Sequence, residues 1–194
     1  MKSLKIAILL LAAASFSFAQ TNWSIDKSHS KIGFSVTHLV ITEVEGKFKN
    51  FEAKITTANE NFDGASIEFT ADVNSIDTYN EKRDQHLMSD DFFNAEKFPK
   101  LIFKSKSFKK VDDKNYKLVG DLTIRDITKE VTLDAKYGGT ITDPWGNTKA
   151  GFKINGDINR FDYGLKWDAA IETGGLVVSK EVKLIINLEL NKQK

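Results

Sequence analysis

Three histidines, at positions 29, 38 and 86, are the side chains best able to do acid–base or metal chemistry, and their spacing limits what they can do. His29 and His38 are nine residues apart, so on one continuous strand they point to opposite faces. No two histidines stand at i, i+2 or i, i+4, and no HExxH pattern occurs, so no zinc or iron site is predicted. His29 reads as a hydrogen-bonding residue at a strand end. His38 continues the phase of Ile32, Phe34 and Val36 and is expected inside the fold, near its opening.

The densest polar group is Arg83-Asp84-Gln85-His86. Arg83 and His86 are at i, i+3 and share one helix face. That pair suits an oxygen-rich head group, Arg83 by its two-pronged fork and His86 as a second donor. The competing reading is an ordinary surface arrangement of Arg83 and Asp84. There is no cysteine, which excludes disulfides, thiolate metal sites and cysteine nucleophiles. There is no GxSxG elbow, phosphate-cradling glycine loop or dinucleotide fingerprint. Carboxylates fall mostly in turns or in the outward phase of strands. No catalytic residue is therefore predicted.

The elements that position these residues are strands. Ile32, Phe34 and Val36 alternate with polar neighbours. So do Ala65, Ile67, Phe69, Ala71 and Val73, and Tyr116, Leu118, Gly120, Leu122 and Ile124. The pattern returns at Val131–Tyr137, Ala150–Ile158 and Val182–Leu190, while Val44–Thr57 and Leu101–Phe108 complete eight strands. A phase change near Asn50-Phe51 predicts a bulge. Asp63-Gly64, Asp112–Asn115, Gly138-Gly139 and Asp143–Asn147 read as turns. Short connections imply antiparallel neighbours, and one-sided alternation implies one wet face. A two-sheet sandwich and a closed barrel both satisfy this. Closure removes edge strands, so the predicted fold is all-β, an eight-stranded antiparallel β-barrel.

One segment departs from the alternation. Thr78 and Glu81 have capping-box spacing, which predicts a short helix from there through Met88, inserted between strands three and four. Ser89 can cap a further turn into Phe92-Phe93, and Pro99 ends the insertion. Gly46, Gly120 and Gly156 lie in or beside the apolar phase. Each signals a bend or a lack of side-chain volume, and three together predict an incompletely filled interior.

Composition supports an apolar interior: 41% of residues are hydrophobic, with 14 phenylalanines and only two prolines. Net charge is +1 with the signs interspersed, which argues against nucleic acid as a partner. Residues 1–19 read as a cleaved signal peptide. Lys2 and Lys5 precede an apolar run from Ile6 to Ala14, and Ser17-Phe18-Ala19 has small-x-small cleavage spacing. The apolar run is shorter than the ~20 residues a membrane helix needs, so no stable membrane insertion is predicted. The domain then spans residues 20–194, periplasmic or secreted after cleavage near Ala19.

Several motifs in register resemble the YceI-like polyisoprenoid-binding family. They include Asp26–Ser30, Phe34–His38, Gly46–Phe51, Ser75–Thr78, Arg83–Leu87, Ser89–Phe93, Phe98-Pro99, Gly120–Arg125 and Arg160–Leu165. The resemblance implies a lipocalin-like barrel, exported to the periplasm, that holds a long apolar ligand: an isoprenoid quinone, a polyprenyl lipid or a fatty amide. No other cofactor is implied. Two positions depart from the family pattern. Asp126 stands where glycine is usual, and Met88 where a basic residue is common. The lost positive charge favours a neutral head group over a pyrophosphate.

The expected contacts with the lipid tail are Phe34, Val36, Phe48, Phe69 and Leu87, with Phe92, Phe103, Leu122, Phe152 and Ile154. His38, Arg83, His86 and Arg160 are the expected polar contacts. The reading is a non-catalytic lipid-binding protein, with a homodimer compatible. Two alternatives remain open at this level. One is a hydrolase or isomerase acting on an amphiphile through His38 or His86. The other is a filled barrel that binds an envelope protein by its surface.

Overall fold

A computed structural model describes residues 20–169 and 176–193. The predicted signal peptide lies outside the described residues. Eleven strands among those described form one continuous antiparallel sheet. They are β1 (Thr21–Ile25), β2 (Lys31–His38), β3 (Thr42–Phe48), β4 (Phe51–Thr57), β5 (Ser66–Asp72) and β6 (Ile76–Asp77). After one helix, α1 (Glu81–Met88), come β7 (Lys100–Lys110), β8 (Asn115–Ile124), β9 (Ile127–Thr142), β10 (Thr148–Asn159) and β11 (Val178–Lys192).

The eleven strands make eight staves, because three staves are interrupted. β11 pairs first with β2, from Val178↔His38 to Asn187↔Lys31, and then with β1 at Leu190↔Ile25. So β1 and β2 are two halves of one stave. β3 and β4 make the next, broken at Lys49-Asn50, which is the interruption that the phase change near Asn50-Phe51 predicts. β5 and β6 make the third, joined through a 3₁₀ turn over Val73–Ser75. Because β1 pairs with both β4 and β11, the ring closes into the expected eight-stranded barrel. Closure removes the two long edges that an open sheet of these strands would present.

Strand phases follow the alternation. Leu118, Ile124, Leu133, Ala135, Phe152, Ile154 and Leu190 are all buried inside. β1 was not legible in the same way: its five residues are too short to show a period, although Trp23 and Ile25 do stand at i, i+2. The Gly138-Gly139 pair is not a turn. β9 runs straight through it, and the register slips there against Gly151-Phe152. A glycine pair accommodates the left-handed residue of a bulge as readily as a turn, here Gly139 at φ 117°.

The interior glycines also have a different reason from vacancy. A Cβ on Gly46 or Gly120 would lie 2.3 or 2.4 Å from the ring edge of Phe34 or Phe103, and one on Gly156 would strike Leu133. Each glycine lets a large neighbour lie flat against the wall, so the missing volume is already filled.

The helix begins two residues later than the capping-box spacing predicts. Asn80 is the N-cap, its side chain accepting from the Arg83 backbone N–H at 3.1 Å. Thr78 is instead buried, its hydroxyl bonded to the Asp84 carboxylate at 2.5 Å. Asp126 is explained by the β8–β9 turn, whose two residues, Arg125 and Asp126, have φ of 51° and 58°. Two-residue hairpins of this hand favour glycine, and aspartate tolerates the left-handed region better than most residues.

Candidate functional site

One end of the barrel is filled. Phe62 stacks near Trp23, Phe152 and Tyr137, at centroid distances of 4.9, 5.0 and 5.8 Å. Tyr116 lies parallel to Phe108 at 4.8 Å, and its hydroxyl donates to the Asn61 carbonyl. These rings make an aromatic floor. At the other end, α1 and the segment after it pack on the strands through Leu87, Met88, Phe92 and Ala95, beside Leu165 from the chain after β10.

Between floor and helix lies a cavity of about 210 Å³, and no polar atom of its wall faces the open space. Of the expected contacts, Phe34, Val36, Phe48, Phe69, Leu87, Phe92, Phe103, Leu122, Phe152, Ile154 and Arg160 line it. Ile25, Ile158, Leu165 and Val178 line it too, and had not been singled out. Alternation had marked Ile158; the other three sit in a short strand, a loop and a strand end, where a period of two has no room to show.

His38, Arg83 and His86 are not on the wall. His38 ends β2 opposite Val178 and Thr42, beyond the last wall residue of its strand, Val36. Arg83 turns back on its own segment. Its Nε donates to the Thr78 hydroxyl at 2.8 Å and its Nη2 to the Thr78 carbonyl at 2.6 Å, so it fastens α1 to β6. His86 pairs through Nε2 with Asp91 at 2.8 Å and sets its ring edge-on to Phe92 and Trp167. Helical spacing put Arg83 and His86 on one face, but local partners took up both side chains.

Arg160 meets the wall only through carbon. Its guanidinium donates to the carbonyls of Ser179, Leu165, Trp167 and Val178 at 2.6–3.0 Å, and it stacks on Phe161. It is 4% exposed, and burial pushes its pKa down, offset by the Asp168 charge. Four carbonyl acceptors compensate that desolvation and tie the chain leaving β10 to the start of β11. Arg125 does the same job for the segment after α1. It donates to the carbonyls of Asp90, Phe92 and Gly164 and pairs with the Asp90 carboxylate at 2.9 Å. Both arginines hold the cover of the lumen. Nearby, burial pushes the Tyr163 hydroxyl up to about 12, and it has no hydrogen-bond partner among the described residues.

His29, with Asp26 and Glu189, forms the one cluster among the described residues with metal-ligand spacing. A lysine already occupies it. Lys149 Nζ lies 3.0 Å from Asp26 and 2.6 Å from Glu189, while His29 Nδ1 is 3.1 Å from Asp26. The ammonium supplies the positive charge that the carboxylates require, and His29 hydrogen-bonds at a strand end.

The decisive comparison is with the YceI-like domain family, which matches residues 23–190, nearly the whole described barrel. The chain belongs to the YceI-like family. A UPF0312 protein of Staphylococcus aureus is 37% identical over 172 residues, 88% of this chain and 98% of its own length. Among solved structures, the Campylobacter jejuni YceI protein is 34% identical with a TM-score of 0.72, covering 88% of this chain and 97% of that one. A polyisoprenoid-binding domain from Saccharophagus degradans shares the fold, with a TM-score of 0.64 at 16% identity over 88% of this chain and 98% of its own. The YceI-like barrel is thus common to distant sequences. In this chain it carries an apolar wall beneath α1, with Arg125 and Arg160 bonded to the loops around it.

Proposed function

We propose that this protein is a non-catalytic lipid carrier that holds the tail of one long-chain isoprenoid or similar amphiphile in its lumen. The carrying observation is the cavity itself, about 210 Å³ lined by a wall without a facing polar atom. An apolar guest there takes the wall and its own surface out of water together. Each methylene buried contributes roughly 0.8 kcal/mol before the cost of ordering the tail is subtracted. A wall of this kind selects by shape and length, leaving the head group outside. The polyisoprenoid-binding domain of Saccharophagus degradans, built on the same fold, supports the ligand class. The leader-like residues 1–19 support export, and so a role in carrying or sequestering lipid through the aqueous periplasm.

Native mass spectrometry of protein purified without detergent, followed by solvent extraction, tests the proposal. The expected result is one lipid per barrel. Phe152→Asp puts an unpaired charge on the wall and is expected to abolish displacement of a fluorescent fatty probe while the far-ultraviolet dichroism stays that of a β-barrel. An empty barrel, or retained probe affinity in that folded variant, would overturn the carrier assignment. Turnover of an amphiphile that is lost with His86→Gln would replace it with an enzyme. The same native spectra report whether the protein forms a homodimer.

A further inference from the structure

The β2–β3 hairpin carries three consecutive apolar residues at its tip, Leu39, Val40 and Ile41. Their exposures are 38%, 65% and 79%, so the two outermost are almost bare. The backbone is as unusual as the side chains. Leu39 and Val40 have φ of 52° and 65°, the left-handed values required at both central positions of a tight hairpin turn. Glycine or asparagine takes those values at little cost, whereas a β-branched residue such as Val40 is strained there. Neither solubility nor local conformation therefore explains Leu-Val-Ile at this turn.

Position supplies the explanation. Val36, two residues before the turn begins, lines the lumen, and so does Val178, which pairs with His38. The tip thus starts one residue past the last wall level, about 3 Å on at the strand rise of ~3.3 Å per residue, and does so at the end opposite the aromatic floor. A lipid tail entering the lumen must do so from this end. We propose that the Leu39-Val40-Ile41 tip is a wedge that inserts into the surface of a lipid bilayer and brings the helix-covered end of the barrel against it. This rests on the lipid-carrier reading.

Three features fit a bilayer better than a protein partner. The tip is convex and only three residues long, far short of the roughly 800 Å² per partner of a standard protein interface. Two of its three amides are already paired, Ile41 N–H donating to the His38 carbonyl at 3.2 Å and Leu39 N–H to the Val177 carbonyl at 2.9 Å. Insertion at the level of the head groups leaves those two amides paired and the Val40 N–H within reach of water or lipid oxygens. The flanking charge is balanced, since Glu43 pairs with Lys183 at 2.7 Å. The wedge is thus apolar in character and takes a neutral, zwitterionic surface without needing anionic lipid.

The test is flotation with phosphatidylcholine vesicles, alongside transfer of a fluorescent fatty probe between vesicles. The double variant Val40→Gly, Ile41→Ser is expected to lower the vesicle-bound fraction and the transfer rate at least fivefold. Its melting temperature should not fall, because glycine relieves the turn. Probe affinity in vesicle-free solution should stay unchanged, as the lumen is untouched. Wild-type flotation should change little between low and 0.5 M salt. Trp145→Ser removes an 82% exposed tryptophan from the β9–β10 turn at the opposite end and is expected to float like wild type. Equal flotation of the double variant and wild type would overturn the wedge, as would loss of flotation in Trp145→Ser. Absence of wild-type flotation, or a double variant changed only in oligomeric mass, would overturn it too. Flotation by the tip with no probe bound in solution would leave the wedge standing and bring down the carrier reading instead.

Discussion

Arginine shows best how side-chain chemistry is redirected by neighbours in this protein. Arg83, Arg125 and Arg160 could each bind an oxygen-rich ligand, yet each spends donors on backbone carbonyls of the lumen cover. A carbonyl cluster satisfies a fork of N–H groups without a second buried charge, and it fixes loops that have no regular ladder of their own. Arg83→Ala is accordingly expected to lower stability by about 1–3 kcal/mol, the cost of losing hydrogen bonds to a charged group. It should weaken binding of a plain hydrocarbon and of an oxygen-headed amphiphile of equal length by the same factor. Paired titrations of the two ligands measure this. A loss confined to the oxygen-headed ligand would place a head-group contact on the guanidinium nitrogen that Thr78 leaves free.

The elements are coupled where staves are interrupted. Between β1 and β2 the chain turns at Asp26, and there the carboxylate meets Lys149 of β10 and His29, with Glu189 of β11 alongside. Hydrogen bonds from His29 and then Lys149 hold the Asp26 carboxyl far below the usual carboxylate range. Glu189 and Asp26 together raise the Lys149 ammonium. A carboxyl with a depressed folded pKa stabilises the fold above its unfolded pKa, about 3.9, and that contribution is lost as pH falls below it. Wild type should therefore melt well above Asp26→Asn at pH 7, and the gap should narrow steadily between pH 5 and pH 2. Thermal scans of both proteins across that range give the answer. A gap that stays constant with pH would mean that Asp26 acts only through shape.

At the scale of the molecule, closure and cavity pull in opposite directions. The ring closes through β1, and its cores at the two ends meet through the partly buried Phe69, Leu122, Ile186 and Leu188. Unfolding should thus be one cooperative transition despite the open space between the cores. Filling the space adds stability by mass action, about 2.7 kcal/mol when free ligand is at 100 times Kd. Delipidated protein is expected to melt several degrees lower than protein as purified, and to recover when a polyprenyl or fatty ligand is added back. Calorimetry on the same sample before and after extraction checks both directions. No change on extraction would mean that the native lumen is not the binding site.

Strand count, inward phase and the apolar character of the interior were determined by the sequence alone, because alternation with period two is a local property that burial on one face imposes directly. The eight staves and nearly all the expected tail contacts follow from it. The broken stave at Asn50 was legible for the same reason, as a slip in that period. Polar side chains were not. Whether Arg83 and His86 face a lumen or fold back on Thr78 and Asp91 depends on atoms that only the packed helix brings within reach. The same holds for Gly46 and Gly120, whose missing side chains look like empty volume until Phe34 and Phe103 are seen lying in their place. Long-range meetings of this kind, such as Lys149 with Asp26 across 123 residues, carry no periodic signal along the chain. Tertiary structure alone decided them, since a hydrogen bond is made with whatever partner closure of the barrel leaves nearest.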